Sequence, residues 1–320
     1  MKAVFIVNPA ARGGKALGKW AEFRRTVAFP YQEFMTIGPG HAKAIARGFA
    51  AQPGQENILL IAFGGDGTVH EIITGAAGAG HVVVGSVGAG SGNDFGRGFS
   101  SFGNAEEIAA YLDLRQDTPA LDLGHAGFKG GLIFVNSSGI GFDAEISRGT
   151  GRSSMKPLLN RMGLGKFVYA LYTVRALFTF RTFSLEVMHD EERLSYRDVW
   201  FATVSNQPYY GGGMKISPQS DPADGLLELT VVSRLSRMKL LAVFGSVFFG
   251  AHTAFREVDC RKSRSFSLKA DRAVPLHADG EDAGDIEPGS PVVFTVKQKA
   301  WRLAGQQRTG RSGIKHESTP

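Results

Sequence analysis

Short apolar runs alternate with helix-periodic segments over the first part of the chain. The segments Lys2–Val7, Tyr31–Ile37, Ile58–Phe63 and His81–Val87 contain many apolar residues but are too short for buried helices, which predicts strands. Between and after these runs, apolar residues recur at helical spacing. An alternation of strands and helices is typical of a doubly wound α/β domain, in which the strands are parallel and ligands bind at their carboxyl ends.

The pattern changes near Leu121–Gly124, after which strand follows strand with two helical inserts, around Gly163–Thr179 and Lys239–Ala251. This order predicts a mostly antiparallel β-sandwich as a second domain. The predicted domains are residues 1–122 and 123–304, followed by a disordered basic tail at 305–320. The strands predicted in the second domain are Ala120–Gly124, Leu132–Ser138, Thr182–His189, Arg193–Ser205, Leu226–Val232, Ser265–Ala270, Val274–Ala278 and Val292–Lys297.

Composition narrows the possible partners. The chain has 320 residues, 42 glycines and a net charge of +6, which suits an anionic partner such as a nucleotide or an acidic membrane face. There is no zinc-ligand spacing, basic recognition helix or aromatic RNA motif, so we expect no nucleic-acid partner. One cysteine, Cys260, excludes an internal disulfide, and we expect a cytoplasmic protein.

A glycine-rich turn ends the Ile58–Phe63 strand. The sequence Gly64-Gly65-Asp66-Gly67-Thr68 is followed by a helical pattern with Glu71 in its first turns. A helix N-terminus behind a glycine turn offers backbone N–H groups and a positive dipole end to an anion, although many such turns only connect elements. Asp66 would repel a bare phosphate, which favours a role through Mg²⁺ or as a proton acceptor.

Two further glycine turns follow predicted strands. Asn8-Pro9 and Gly13-Gly14 follow the first strand, and Gly90–Arg97 follows the fourth. In the later turn Asn93 is a candidate hydrogen-bonding group and Asp94 a candidate metal or hydroxyl partner, the alternative being an Asx-turn. Because these turns follow neighbouring parallel strands, we expect them to meet at one edge of the sheet.

These motifs together resemble the diacylglycerol kinase catalytic-domain family, which includes bacterial diacylglycerol kinases and sphingosine kinase-like lipid kinases. Gly64–Thr68 is shared with NAD kinases, whereas Gly90–Arg97 matches the lipid-kinase pattern Gly-(Thr/Ser)-x-Asn-Asp-Phe-(Ala/Gly)-Arg. The resemblance runs from Asn8 to about Lys299. It implies an ATP- and Mg²⁺-dependent lipid kinase with its active site in the cleft between the domains.

The resemblance also assigns roles to residues. Glu281, in Asp279-Gly280-Glu281, matches a proton acceptor supplied by the second domain, the alternative being a plain hairpin turn. Asp122 matches an aspartate that supports activity, the alternative being a hydrogen bond at the hinge between the domains. The predicted catalytic residues are Asp66, Asp94, Asp122 and Glu281. The predicted nucleotide-binding residues are Asn8, Pro9, Gly13, Thr36, Gly64, Gly65, Gly67, Thr68, Glu71, Gly90, Ser91 and Asn93.

A structural Mg²⁺ site is implied at the turn before the Leu226–Val232 strand. The resemblance assigns the side chain of Asp224 and the main-chain carbonyls of Asp221 and Leu226 as ligands. Oxygen-only ligation suits a hard cation. The alternative is an Asp-Gly turn without function.

Several alternatives remain open at the level of sequence. The acceptor lipid is not named by any motif; diacylglycerol, a sphingoid base and ceramide all fit. Other candidates are an NAD kinase-like enzyme acting on a soluble nucleotide and a non-catalytic lipid-binding protein. Basic residues at Arg148, Arg152, Lys156 and Arg161 favour peripheral contact with an anionic inner membrane face. The oligomeric state, including a homodimer, is open.

Overall fold

The computed structural model describes residues 1–52, 54, 56–88, 94–114, 118–151 and 165–305, and for Arg12, Asp94 and residues 165–171 only the backbone. The predicted cradle residues Gly90, Ser91 and Asn93 therefore lie outside the described residues. So do the last residues of the predicted tail, 306–320.

The first domain alternates strands and helices as predicted. Its elements are β1 (Lys2–Val7), α1 (Ala16–Phe23), β2 (Tyr31–Met35), α2 (His41–Ala50), β3 (Ile58–Gly64), α3 (Asp66–Ala76), β4 (Val82–Gly88), α4 (Asp94–Gly98) and α5 (Ala105–Leu114). The strands pair in parallel in the order β2-β1-β3-β4.

Helices cover both faces of this parallel sheet, which explains why its central strands are apolar throughout. On β3, Leu60 and Ala62 pack in one buried cluster with residues of α2 and α3. Leu59, Ile61 and Phe63 point to the opposite face, in a second cluster with residues of α1 and α5. The alternation has the period of two that a strand requires.

The second domain is built mainly from strands. Its elements are β5 (Ala120–Ala126), β6 (Leu132–Phe134), β7 (Ser137–Gly141), α6 (Phe142–Gly151), α7 (Gly165–Thr179), β8 (Phe183–His189), β9 (Glu192–Ser205), β10 (Leu227–Ser233), α8 (Arg237–Val247), β11 (Val258–Ser263), β12 (Ser265–Ala270), β13 (Val274–Ala278), β14 (Glu281–Ile286) and β15 (Pro291–Leu303).

Antiparallel pairing dominates this domain, as predicted. The long strand β9 pairs with β7, β8 and β10, and β13 pairs with β7 and β14. The inward side chains form one large core around Phe134, Phe266 and Phe294, which are fully buried. No helix within the described ranges is long and apolar enough to cross a membrane.

The last strand ties the two domains together. β15 pairs antiparallel with β5 and β12, and its final residues Arg302 and Leu303 pair in parallel with β4 of the first sheet. Trp301 and Leu303 are buried in the core of the first domain. The boundary at residues 122 and 123 stays a prediction, but the chain returns to the first domain before residue 304.

Two features of the second domain differ from the predicted elements. The single strand expected at Leu132–Ser138 is divided into β6 and β7, and a helix, α6, follows at Phe142–Gly151 where none was predicted. The division falls where the backbone N–H groups of Val135, Asn136 and Ser137 donate to a side chain in the turn between β13 and β14, as described next.

Candidate active site

The carboxyl ends of the parallel strands meet in a cradle of loops, as expected. Asn8 follows β1, and its backbone N–H donates to the carbonyl of Phe63 in β3 (3.0 Å). Its side-chain Nδ2 donates to Thr68 Oγ1 on α3 (3.0 Å), and its Oδ1 accepts from the N–H of Ala10 (3.0 Å). Asn8 therefore holds the first glycine loop against the start of α3.

Glycine at two positions of this cradle has a clear physical reason. A Cβ on Gly64 would lie 2.5 Å from Thr68 Oγ1, so a side chain there would displace the threonine. Gly13 has φ +66°, a backbone conformation that favours glycine, and a Cβ there would meet nothing within 4 Å. A Cβ on Gly67 likewise faces open space. The cradle therefore has bare backbone beside unfilled volume, which fits a phosphate chain.

Helix α3 begins at this cradle. Asp66 is its first residue, and Gly65 at the N-cap makes no side-chain cap hydrogen bond. The positive end of the helix dipole is therefore available to an anion. Asp66 lies at the same end of α3. A carboxylate at this position suits a cation that is bound to the anion.

Three other residues that were predicted to bind the nucleotide have different structural surroundings. The side chain of Glu71 accepts hydrogen bonds from the N–H groups of Gly40 (2.8 Å) and Lys43 (3.3 Å), so its carboxylate holds the start of α2. Thr36 is buried, and its N–H donates to the carbonyl of Val7 (2.8 Å). Pro9 lies in the loop after β1. Contacts of Thr36, Glu71 and Pro9 with a nucleotide stay predictions.

The second glycine cradle is described only from Asp94 onward. The backbone of Asp94 begins α4, six residues after the end of β4, and its place in the site stays a prediction. The segment Tyr209–Met214 of the second domain approaches α4, because a Cβ on Gly213 would lie 3.1 Å from the Arg97 guanidinium carbon. The two domains therefore meet beside this loop.

Asp279 connects the second domain to α3. Its Oδ2 lies 2.6 Å from His70 Nδ1, one turn along α3 from Asp66. The same carboxylate accepts backbone N–H groups from Val135 (2.7 Å), Asn136 (2.9 Å) and Ser137 (3.0 Å). These three bonds produce the break between β6 and β7.

The pKa shifts of His70 and Asp279 both favour the charged forms, which strengthens the hydrogen bond between them. Burial alone would lower the pKa of His70, but the hydrogen bond and the charge of Asp279, together with the charge of Glu281, raise it. Burial would raise the pKa of Asp279, but the bond to His70 and the backbone N–H groups lower it. A hydrogen-bonded imidazole–carboxylate pair, in which Asp279 favours the protonated form of His70, therefore joins the two domains.

Glu281 begins β14, directly after the Asp279-Gly280 turn, and its side chain is exposed. Glu281 lies two residues after Asp279, whose carboxylate contacts His70 on α3. The position of the Glu281 carboxylate relative to Asp66 and its role as a base stay predictions.

A buried network supports the Asp279-Gly280 turn from behind. His277 Nδ1 accepts the N–H of Gly280 (3.3 Å), and His277 Nε2 lies 3.1 Å from Asp143 Oδ2. Thr203 Oγ1 donates to the same carboxylate oxygen (2.8 Å). His277 therefore supports the turn as a structural residue. Sequence reasoning missed His70, for which the position four residues after Asp66 was the available signal.

Asp122 is a fixed point between the domains. Its two carboxylate oxygens accept the N–H groups of Gly225 (2.8 Å) and Lys299 (2.7 Å), and its N–H donates to the carbonyl of Pro222 (2.7 Å). The side chain is 2% exposed. This geometry is the hinge hydrogen bonding that was the alternative for this residue, and a role for Asp122 in catalysis stays a prediction.

In the turn that was predicted to bind a metal, the negative charge of Asp224 is already balanced by a lysine. Asp224 Oδ1 accepts the N–H of Leu226 (2.9 Å), and Oδ2 lies 3.0 Å from the Lys262 ammonium. The carbonyl of Asp221 accepts the N–H of Asp224 (3.3 Å). Each Asp224 carboxylate oxygen already has one hydrogen-bonding partner, so a Mg²⁺ ion would compete with the Lys262 ammonium. Binding of Mg²⁺ at this turn stays a prediction, and no step below is routed through it.

Two families match the two parts of the chain. Residues 2–126 match the family described as the diacylglycerol kinase catalytic domain. Residues 136–304 match the family described as the YegS C-terminal NAD kinase beta sandwich-like domain.

Two bacterial relatives match most of the chain. It is 32% identical over 289 residues to "Putative lipid kinase YtlR" of Bacillus subtilis, covering 88% of this chain and 93% of that protein. It is 26% identical over 320 residues to a diacylglycerol kinase of Bacillus subtilis, covering 94% of this chain and 99% of that protein.

Solved structures agree in fold. A diacylglycerol kinase from Bacillus anthracis superposes with a TM-score of 0.67 at 20% identity, covering 96% of this chain and 97% of that one. An NAD kinase from Archaeoglobus fulgidus, solved in complex with ATP, gives a TM-score of 0.51 at 9% identity over 96% of this chain and 94% of that one. At these identities the likeness shows the two-domain architecture alone.

Proposed function

The chain belongs to the diacylglycerol kinase catalytic-domain family, and from that premise we propose that it transfers the γ-phosphoryl group of ATP to a lipid hydroxyl. The observation that carries the proposal is the contact between Asp279 and His70, which brings the second domain over the glycine cradle. A general base must reach the hydroxyl that it deprotonates, and the proposal that Glu281 does so is supported by its position two residues after Asp279.

The first domain would hold the nucleotide. The backbone at Gly13 and Gly67 faces open volume, and Gly65 and Thr68 lie beside Gly67 at the start of α3. There the N–H groups and the helix dipole stabilise phosphate oxygens. When bound with ATP, Mg²⁺ supplies positive charge to the phosphoryl oxygens, and Asp66 and Asp94 are the residues proposed to hold it.

Glu281 would act on the acceptor. As the lipid hydroxyl oxygen forms its bond to the γ-phosphorus, the bond from that phosphorus to the β-phosphate oxygen breaks and ADP leaves. The hydroxyl proton goes to the Glu281 carboxylate. Phosphoryl transfer depends mainly on positioning and charge neutralisation, so the rigidity of the His70–Asp279 contact matters as much as the base itself.

The acceptor is proposed to be a membrane lipid such as diacylglycerol or a related single-hydroxyl lipid. The support comes from the family and from relatives named as lipid or diacylglycerol kinases. Access to such an acceptor requires contact with a membrane surface, so the protein is proposed to act as a peripheral enzyme at an anionic face.

The test is phosphoryl transfer from radiolabelled ATP by the purified full chain, offered a total lipid extract in mixed micelles or, separately, NAD. We expect a labelled lipid, identified by mass, and no labelled NAD product. Asp66→Asn should abolish the label while leaving the folded state intact. Full lipid phosphorylation by Asp66→Asn would remove this carboxylate from the mechanism, and label in NAD alone would replace the lipid acceptor by a nucleotide.

A further inference from the structure

Helix α8 (Arg237–Val247) is apolar on the side that packs against the second domain, as a surface helix should be. Leu240, Val243 and Val247 are buried, and their spacing of three and four residues puts them on one side of the helix. These three side chains account for the packing of α8 on the protein. The opposite side of such a helix is expected to be polar.

The opposite side of α8 is apolar instead. Six residues without a charged or polar side chain lie exposed along it and just after its end: Met238, Leu241, Ala242, Gly245, Phe248 and Phe249. Met238 is 71% exposed and Phe249 is 84% exposed. The spacing is again three and four residues, so these side chains form one continuous surface, which we call the α8 stripe.

The α8 stripe has the properties of a contact surface. A helix that is apolar on all sides is normally buried on all sides, and contiguous exposed apolar side chains mark a place where something binds. With eleven residues, α8 is about 16 Å long, about half the thickness of the hydrocarbon core of a bilayer. The helix can therefore lie along a membrane surface but cannot cross the membrane.

The charge beside the α8 stripe is mainly positive. From Arg234 to Arg256 the chain contains no aspartate or glutamate, and its basic residues are Arg234, Arg237, Lys239 and Arg256. Glu257 follows and pairs with both Lys239 (2.5 Å) and Arg256 (3.2 Å). Asp198 adjoins Arg234, because its carbonyl accepts the Arg234 N–H (3.0 Å). Four basic residues beside two carboxylates leave a positive surplus.

This charge distinguishes the possible occupants of the α8 stripe. In a symmetric contact with a second copy of the chain, the stripe would meet its own equivalent, and the basic residues beside it would approach the same basic residues. No carboxylate between Arg234 and Arg256 is available to separate them. An anionic membrane instead offers acyl chains to the apolar side chains and phosphates to the arginines.

We propose that α8 is a membrane-binding helix that lies in the interface of an anionic bilayer, with the α8 stripe among the acyl chains and the neighbouring basic side chains at the phosphates. The inference deepens the proposed function, on which it rests for an acceptor that arrives from a membrane. Binding to a vesicle itself needs neither ATP nor phosphoryl transfer, so the two claims are measured separately.

One segment of the second domain connects α8 to the candidate active site. Val247, at the end of α8, packs in a buried cluster with Met214. Met214 ends the segment Tyr209–Met214, and within that segment a Cβ on Gly213 would lie 3.1 Å from the Arg97 guanidinium carbon on α4. A membrane-bound α8 would therefore anchor the part of the second domain that contacts the first domain beside the second glycine cradle.

The experiment measures binding of the full chain to phosphatidylcholine vesicles with and without phosphatidylglycerol, in the absence of ATP. We expect binding that requires phosphatidylglycerol. Met238→Gln/Leu241→Gln should bind at least about tenfold more weakly, because two side chains no longer bury apolar area. The matched variant Leu114→Gln/Met188→Gln changes the same residue types at positions 64% and 53% exposed elsewhere, and it should bind within about twofold of the wild type.

A second pair of variants measures the electrostatic part. Arg234→Gln/Arg256→Gln should bind about 25-fold more weakly, since each basic side chain near an anionic surface contributes about fivefold. Arg25→Gln/Arg47→Gln removes the same charge from exposed positions of the first domain and should bind within about twofold of the wild type. All the replaced side chains are exposed, so denaturant unfolding should give equal free energies of unfolding for the wild type and the variants.

Three results would overturn the proposal. The first is no binding of the wild type to vesicles that contain phosphatidylglycerol. The second is equal binding by the α8 double variant and its matched control. The third is a wild-type dimer, seen by light scattering, that dissociates in Met238→Gln/Leu241→Gln, which would assign the α8 stripe to a second copy. Phosphoryl transfer to lipid in detergent micelles tests the proposed function independently, because it requires no vesicle surface.

Discussion

At the scale of single residues, two glycines at the start of α3 have opposite physical requirements. Gly64 lies against Thr68, which in turn accepts the Asn8 hydrogen bond, so this glycine serves packing within the protein. Gly67 faces open volume, so nothing in the protein itself forbids a side chain there. The proposed function requires that volume for phosphate.

Because their surroundings differ, replacing each of these two glycines by alanine should have a different effect. Gly64→Ala should lower the free energy of unfolding by about 1–3 kcal/mol, because its Cβ displaces Thr68. Gly67→Ala should leave that free energy equal or up to about 1 kcal/mol higher, because alanine favours a helix, yet should weaken ATP binding by more than about tenfold. Denaturant unfolding and ATP titration measure the two effects. Unchanged ATP binding by a stable Gly67→Ala protein would contradict the cradle.

The His70–Asp279 pair makes stability depend on pH in a defined direction. The pKa of His70 is raised in the folded protein, so its contribution is complete below the unfolded value of about 6.5 and is lost as pH rises through the folded pKa. The pKa of Asp279 is lowered, so its contribution is present above about pH 4 and is lost as pH falls through the folded pKa. Lys43 opposes the charge on His70 and Glu281 favours it.

The variant His70→Gln should therefore be less stable than the wild type by about 1–3 kcal/mol below the folded pKa of His70, with the difference shrinking as pH rises through that pKa. Denaturant unfolding of both proteins from pH 5 to pH 9 measures this. A difference that stays constant over that range would show that the imidazolium is not what joins the domains.

At the scale of elements, a lysine side chain contacts the turn before β10, where a Mg²⁺ ion was predicted. Lys262 on β11 lies directly across from Glu228 on β10 and reaches Asp224 in the turn. The family motif predicted the acidic turn correctly but not the strand that pairs beside it. A lysine one strand away cannot be inferred from the spacing of the motif, because the pairing is set by the tertiary fold.

This arrangement predicts that the wild type has no structural requirement for Mg²⁺ at the turn. Adding Mg²⁺ after treatment with a chelator should not change its melting temperature, whereas Lys262→Met, which opens Asp224, should gain about 2–4 °C at saturating Mg²⁺. Lys269→Met, which removes a lysine paired with Glu186 at 3.7 Å on the surface, is the matched control. Stabilisation of the wild type by Mg²⁺ would contradict the lysine as the compensating charge.

The division between β6 and β7 is a second feature that the sequence pattern could not reveal. Leu132–Ser138 is apolar enough for one strand, and local propensity favours one. The break exists because Asp279, more than a hundred residues later, accepts the three N–H groups at that point. Buried carboxylates need such partners, so a long-range contact overrides the local preference.

At the scale of the whole molecule, the sequence predicted the architecture well and the contact between the domains poorly. Alternating and antiparallel patterns identified both domains because hydrophobic periodicity is local. The return of β15 to the first sheet, with Trp301 and Leu303 in its core, was not predicted, since a final strand carries no signal of which sheet it joins. Glycine motifs predicted the cradle, whereas the hinge bonds of Asp122 and the His70–Asp279 contact required the structure.

The central claim is that residues of both domains perform one phosphoryl transfer to a lipid. Glu281 tests it most directly, because its side chain is exposed and its replacement should not disturb the fold. The measurement is the rate of transfer from ATP to lipid in mixed micelles by Glu281→Gln, with ATP affinity measured on the same protein. The account predicts a kcat lower by about 10²–10⁴-fold with ATP affinity unchanged. A wild-type rate in this variant would contradict it.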